Sequence, residues 1–423
     1  MTTSADLVTT LNRQRDELDV STPEGHAGLL SNRTRTRHVF NYSKAAKAAI
    51  SLVMPIRDES YASDMLPSYF AMNLPEGRLL QTIRSRLQRD VHIDQMALLA
   101  LTGRNQIGRV TFGDSRAPDG SAAPIWELGE ILESSSRKLF ARLLASNYAS
   151  GISGFQPKAL VTASVGTPSV HFQTAPCPSV TKVLDLIVKS SDDDQPLLPQ
   201  NEYLCMTAAS AAGIRVPNVW LARDGGLLVI QRFDRDEQTR SPLGFEDMAT
   251  LMKRPLQSRY AGSYESIAHV IGVLCGKFRA ESLYRLFEYV TYCSLTRNGD
   301  AHLKNFGLVY SGPESEDISL APLFDATTTS IADLASPPGT NASNDETLAL
   351  TLNGSREFPS RKSLLKFGRT VCGVAHPERV IDRIAEAMMS TLSTHAHCVD
   401  ERLLNAMRHH WEIGLTSMRK EQS

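Results

Sequence analysis

The stretch SLTRNGDAHLKNFGLVY, Ser294 to Tyr310, sets Asp300, His302, Lys304 and Asn305 within six residues, between two apolar runs. Asn298-Gly299-Asp300 has the composition of a turn between a helix and a strand. A turn alone does not need a carboxylate, an imidazole, an amine and a carboxamide together beside FGLVY. The five-residue step from Asp300 to Asn305 therefore carries the first functional question.

An aspartate followed five residues later by an asparagine is the spacing of a catalytic loop for phosphoryl transfer. There the carboxylate takes or orients a hydroxyl proton, and the amide oxygen ligates magnesium. In this stretch Asp300 and Asn305 would have those roles, His302 would support the loop, and Lys304 would offset charge on the moving phosphate. Such chemistry needs positioning and charge neutralisation more than covalent partners, so four further parts are expected along the chain.

A glycine-rich turn over the phosphates is offered by SGISGFQPKALV, with Gly151, Gly154 and then Lys158 opening a strand. Glycines let backbone N–H groups approach phosphate oxygens; the same residues also suit a surface turn. VLDLIVKS ends in Lys189, placed to reach phosphates or simply solvent at a strand end. Glu202 follows at the start of a helix, where it either orients that lysine or complements the helix dipole. Asp325 follows SLAPLF, twenty residues past Asn305, where a second magnesium-binding aspartate belongs. The tripeptide there is Asp325-Ala326-Thr327, without the usual Phe-Gly. A strand-terminal aspartate capping the next segment is the alternative reading.

Outward from these motifs, 42% hydrophobic and 22% charged residues over 423 positions supply a sizeable core and argue against global disorder. A net charge of −1 gives no global signal for nucleic acid or anionic membrane. The N-terminus lacks the pattern of a signal peptide and no run of 18 apolar residues occurs, so a cytoplasmic protein without a membrane partner is expected. The six scattered cysteines fit a reducing compartment. HAHC, His395 to Cys398, reads as polar positions on a terminal helix rather than a metal site.

AAISLVMPI (Ala48 to Ile56) reads as a buried strand. Pro75 and Glu76 suit the first turn of a helix carrying Leu79, Leu80, Ile83 and Leu87. GDSRAPDGSAAP (Gly113 to Pro124) reads as a linker. KALVTASV, VLDLIVKS, VWLARD and LLVIQRF read as a small sheet, interrupted by the helix NEYLCMTAASAAG. From about residue 245 the chain reads as helical, beginning with FEDMATLMK. The expected fold class is α+β: a bilobal protein-kinase-like fold. Its units would be 1–115, an N-terminal subdomain; 125–243, a small sheet-containing lobe with the glycine-rich loop; and 244–423, a helical catalytic lobe.

NGDAHLKNFGLV and SGISGFQPKAL, together with LIVKS, NEYLC…AAGI, LLVIQRFDR, GFEDMATLM and YAGSYESIA in the expected order, resemble the HipA family of serine/threonine kinases, toxins of bacterial toxin–antitoxin modules. SLVMP, LPSYFAMNLPEGRLLQTIRSRL and LLALTGRNQIGRV resemble that family's N-terminal subdomain. The resemblance implies that Asp300 is the catalytic aspartate, that Asn305 and Asp325 hold Mg2+, and that Lys189 binds ATP phosphates. It implies that Gln231, Arg232 and Phe233 lie where adenine docks. It also implies autophosphorylation in the glycine-rich loop, with Ser153 as the candidate and Ser150 next; Ser153 equally suits a tight loop as a small hydroxyl residue. The implied partners are a protein substrate, typically an aminoacyl-tRNA synthetase or another translation factor, and a helix-turn-helix antitoxin, with DNA reached only through that antitoxin. A small-molecule kinase of the aminoglycoside or choline type and a catalytically silent co-repressor are the alternatives.

Overall fold

The computed structural model describes residues 16–34, 37–87, 92–113, 124–147, 150–152, 156–166, 182–191, 195–331 and 347–419. The STPEG turn joins two strands, Glu17–Thr22 and Gly25–Thr34, with Gly25 in the left-handed region at φ +126°. They pair with Arg37–Tyr42, Tyr61–Ser63 and Thr111–Phe112 in a five-stranded antiparallel sheet. Alternation puts Leu18 and Val20 inside, and the helices Gly77–Leu87 and Gln95–Thr102 contribute Leu79, Ile83, Met96 and Leu99 to the same core.

AAISLVMPI differs from its expected strand. It turns at Ser51–Met54, and its N–H and hydroxyl groups wrap the Glu246 carboxylate: Ser51 Oγ donates at 2.7 Å and Leu52 N at 2.7 Å. Its apolar side chains are consumed by both neighbouring layers, which a short apolar run satisfies as readily as a strand does.

The second sheet has the order Val219–Leu221, Leu227–Gln231, Lys182–Ser190, Lys158–Val165, Ile125–Glu127. Its central strand is buried on both faces toward its end, and antiparallel register places Lys189 opposite Lys158. Helix Leu198–Ala211 crosses behind this sheet and ends before Gly213, whose φ of +74° closes it.

FEDMATLMK also departs from the helical expectation. Gly244–Asp247 is a strand paired with Gly307–Tyr310, and only Met248–Leu251 is helical, capped by Asp247 through the Thr250 N–H at 2.7 Å. The pairing is made possible by Gly244, where the Tyr310 ring occupies the space of a Cβ. Helices Tyr264–Leu274, Arg279–Leu295, Arg361–Thr370, Pro377–Thr394 and Glu401–Thr416 enclose the largest core, around Tyr264, Phe287, Tyr292, Phe367 and Trp411. Gly414 lets the last helix rest directly on the Leu295 carbonyl at the end of Arg279–Leu295. That contact fixes the helix end from which Asp300 is presented. Among the described residues no helix is long and apolar enough to cross a membrane.

Candidate active site

A cavity of about 400 Å3 lies between the second sheet and the helical lobe. One part is apolar, lined by Ile107, Ile187, Ile230, Phe233, Phe245 and Phe324. The other is charged, lined by Lys158, Lys189, Glu202, Asp300, Asn305 and Asp325. An apolar pocket with convergent polar groups is the usual form of a small-ligand site.

Lys189 is at the centre. Its Nζ donates to Glu202 Oε1 at 2.5 Å and to Asp325 Oδ1 at 3.2 Å. Burial alone would lower its pKa, but Asp325 and Glu202 outweigh burial and raise it, so it stays protonated. Asp325 is held below the usual carboxylate range: burial opposes ionisation, and Lys189 and Lys158 overcome it. Lys158 is depressed to about 8, first by burial and then by the Lys189 charge across the ladder. The helix begins at Leu198 and has no acid in its first turn, so Glu202 lies one turn further in than its sequence suggests and pairs with Lys189 instead of complementing the helix dipole.

Asn201 fixes the Asp325-Ala326-Thr327-Thr328 segment. The Asn201 amide donates to the Thr328 carbonyl at 3.0 Å, and its Oδ1 accepts from the Thr328 N–H at 2.9 Å. Trp411 Nε1 donates to Thr328 Oγ1 at 2.8 Å, tying the last helix to the same point.

Asp300 follows a turn in which Arg297 adopts φ +57° and Asn298 Oδ1 accepts from the Asp300 N–H at 3.0 Å. Burial pushes its carboxyl up to about 6, and the Tyr260 hydroxyl, donating to Oδ1 at 2.7 Å, pulls the other way. Asn305 Nδ2 donates to the Asp300 carbonyl at 2.8 Å, which spans the five-residue step and turns the amide oxygen to the other side of the group. Asn305 Oδ1 and the Asp325 carboxylate are hard oxygen donors on one cavity, a donor set that suits magnesium.

His302 is buried, its Nδ1 has no hydrogen-bond partner among the described residues, and its ring lies edge-on to Tyr260 at 5.0 Å. Burial and the Arg259 charge lower it to about 4, so the ring is neutral near pH 7. Lys304 is paired with Glu76 at 3.1 Å and bonded to the Met72 carbonyl at 3.3 Å. Phe233 stacks on Phe324 with centroids 5.1 Å apart. Arg232 clamps Asp234 through Nε at 2.9 Å and Nη2 at 2.6 Å, and Gln231 Oε1 accepts from Asn218 at 2.8 Å rather than lining the cavity. Ser150–Gly151 forms a two-residue strand parallel to Asn105–Gln106. Ser153 and Gly154 lie outside the described residues.

Glu76, Arg259, Tyr260 and Asn201 escaped the sequence reading as members of the site. Only Glu76 carried a signal, as a first-turn acid, and that pointed to its own helix.

Two lobes, a lysine held between a helix glutamate and an aspartate, and a loop closed from Asp300 to Asn305 define a protein-kinase-like fold. Residues 150–395 match the model of the HipA-like C-terminal domain, and residues 18–113 that of the HipA N-terminal domain. The chain belongs to the HipA family. A Haemophilus influenzae protein provisionally named a kinase is 30% identical over 190 residues, 41% of this chain and 51% of that relative. A Sinorhizobium fredii protein, provisionally named kinase Y4dM, is 26% identical over 280 residues, 63% of each. The chain thus spans between half and two thirds of the length of these relatives. Among solved structures, a chain of the Shewanella oneidensis MR-1 toxin–antitoxin complex of HipA, HipB and operator DNA covers 95% of this chain and 96% of itself. Its TM-score is 0.66 at 15% identity, which establishes the shared fold.

Proposed function

We propose that the chain is an ATP-dependent serine/threonine protein kinase of the HipA toxin type. The observation that carries this reading is Lys189 held between Glu202 and Asp325 in the cavity that Asp300 and Asn305 also line. The apolar part would take adenine against Phe233, Phe324 and Ile230, and Lys189 and Lys158 would face the phosphates. Magnesium, held by Asn305 and Asp325, would neutralise phosphate charge. Asp300 would receive the proton of the acceptor hydroxyl.

Membership of the HipA family, and relatives provisionally named as kinases, support ATP as the phosphoryl donor. The Shewanella complex contains an antitoxin and operator DNA. By likeness, this chain would be neutralised by a helix-turn-helix antitoxin and meet DNA through it. The substrate would be a protein, of the translation-factor or aminoacyl-tRNA synthetase kind, and its modification would arrest growth. Phosphorylation of Ser153, or of Ser150, would add roughly two negative charges to the phosphate loop and switch the enzyme off.

Transfer of label from γ-labelled ATP to protein, abolished by Asp300→Asn with ATP binding retained, is the expected result. Label appearing only on small molecules, or growth arrest by Asp300→Asn equal to that by the native chain, would overturn the proposal.

A further inference from the structure

Glu76 belongs to the N-terminal unit, just before the Gly77–Leu87 helix, yet its carboxylate is spent on the catalytic lobe. Oε1 accepts from Lys304 Nζ at 3.1 Å and Oε2 from Arg259 Nη2 at 2.7 Å. The residue after Arg259 is Tyr260, whose hydroxyl donates to Asp300 Oδ1 at 2.7 Å. Backbone completes the circuit. The Leu303 N–H donates to the Arg259 carbonyl at 3.1 Å, and Asn305 Nδ2 to the Asp300 carbonyl at 2.8 Å. The result is a closed ring running from Glu76 to Arg259 and Tyr260, on to Asp300, along the loop to Lys304, and back to Glu76. Arg356 fastens it from outside, donating to the Tyr260 carbonyl at 2.7 Å.

The geometry points to Glu76 and Tyr260 as positioning residues for phosphoryl transfer, a role that rests on the kinase reading above. Tyr260 fixes the plane of the Asp300 carboxylate by holding Oδ1, and leaves Oδ2 for the acceptor. The acceptor oxygen then bonds to the γ-phosphorus, the bond from that phosphorus to the β,γ-bridging oxygen breaks, ADP leaves with the electron pair, and the hydroxyl proton passes to Asp300. Glu76 holds both ends of the segment that sets this aim. The Lys304 side chain is 8% exposed and that of Glu76 21%, so salt screens the pair little. A displacement of about 1 Å in such a constellation costs roughly a hundredfold in rate. Lys304 is thereby an anchor of the loop rather than a freely mobile phosphate contact.

The test compares Glu76→Ala, Glu76→Asp, Tyr260→Phe and the Glu76→Ala/Tyr260→Phe double variant in the full chain. Readouts are kcat and KM for ATP, fluorescent-ATP binding, and amide hydrogen exchange of residues 300–306. Glu76→Ala and Tyr260→Phe should each lower kcat about tenfold or more, with KM for ATP changed less than about twofold. Glu76→Asp should recover part of the loss. The double variant should lose less than the product of the two single losses, because both act on one ring. Glu76→Ala should also speed exchange at 300–306 while ATP still binds. Independent, multiplicative losses, or unchanged exchange at 300–306, would overturn the ring. If the native chain transfers no phosphoryl group, the kinase reading and the positioning role both fall, and the exchange data still decide whether Glu76 holds the loop.

Discussion

Asn201 grips Thr328 from both sides, donating to its carbonyl at 3.0 Å and accepting from its N–H at 2.9 Å, and so holds the segment that carries Asp325. Both groups are buried. Asn201→Ala leaves a buried donor and a buried acceptor unpaired, at a cost of about 2–4 kcal/mol. A lower melting temperature, together with weaker magnesium-dependent ATP binding, is the expected outcome. Unchanged binding would mean that Asp325 keeps its place without the clamp.

Lys189 is the cation between two carboxylates, so its removal acts twice. Lys189→Met should abolish transfer and also destabilise the chain by about 3–5 kcal/mol, because Glu202 is left buried without its counter-charge. Adding Glu202→Gln should restore much of the stability and none of the activity. Denaturant melts and phosphoryl-transfer assays on the single and double variants separate the two effects.

Glu246 gives a pH signature away from the catalytic residues. Its carboxyl is fully buried and accepts from Ser51, Leu52 and Tyr310, and burial pushes it up to about 7 from 4.5. A carboxyl with a raised folded pKa keeps its proton longer in the folded chain than in the unfolded one. Its contribution to stability is therefore greatest at low pH and is lost as pH rises from about 4.5 to 7, by about 3 kcal/mol at most. Glu246→Gln, which keeps an acceptor for Tyr310 and Leu52, should flatten that slope. Urea midpoints at pH 5 and pH 7 measure it; an identical slope in both proteins would assign the pH effect elsewhere.

Phe324 stacks on Phe233 at 5.1 Å and meets Phe245 edge-on at 5.6 Å. Phe324→Ala should open the apolar part of the cavity and weaken ATP binding about tenfold, in keeping with one lost aromatic contact of about 1 kcal/mol or more. Inorganic triphosphate, which makes no adenine contact, should bind this variant as it binds the native chain. Equal weakening of both ligands would place the nucleotide elsewhere.

The sequence is most readable where chemistry is local. Asp300 and Asn305 lie in one loop, and the apolar runs ending at Val165, Ser190 and Gln231 read as strands because alternation and burial are written along the chain itself. The end of the Leu198–Ala211 helix is legible, with Gly213 as its stop, but its start lies at Leu198 rather than at Asn201. AAISLVMPI and FEDMATLMK depart from their local pattern because their conformation depends on distant partners: the first closes around Glu246, nearly 200 residues away, and the second pairs with Gly307–Tyr310. Glu76 and Asn201 have the same difficulty. Their partners, Lys304 and Thr328, are joined to them only by tertiary folding, and no spacing in the chain announces such pairs.

The apolar cluster beneath the N-terminal sheet does not stop at the end of that sheet. It also contains Leu160, Ile187, Leu228 and Ile230 of the second sheet, and Phe245 and Val309 beside the Asp300–Asn305 loop. Asn105–Gln106 and Ser150–Gly151 add backbone pairing across the same boundary. The two family segments therefore share an interior, and unfolding should be cooperative across them, with one calorimetric transition rather than two. A fragment starting at residue 124 would turn that interior into a sticky outer face. In a chimaera of two relatives, each half would have to match the apolar relief of the other before the active site could form.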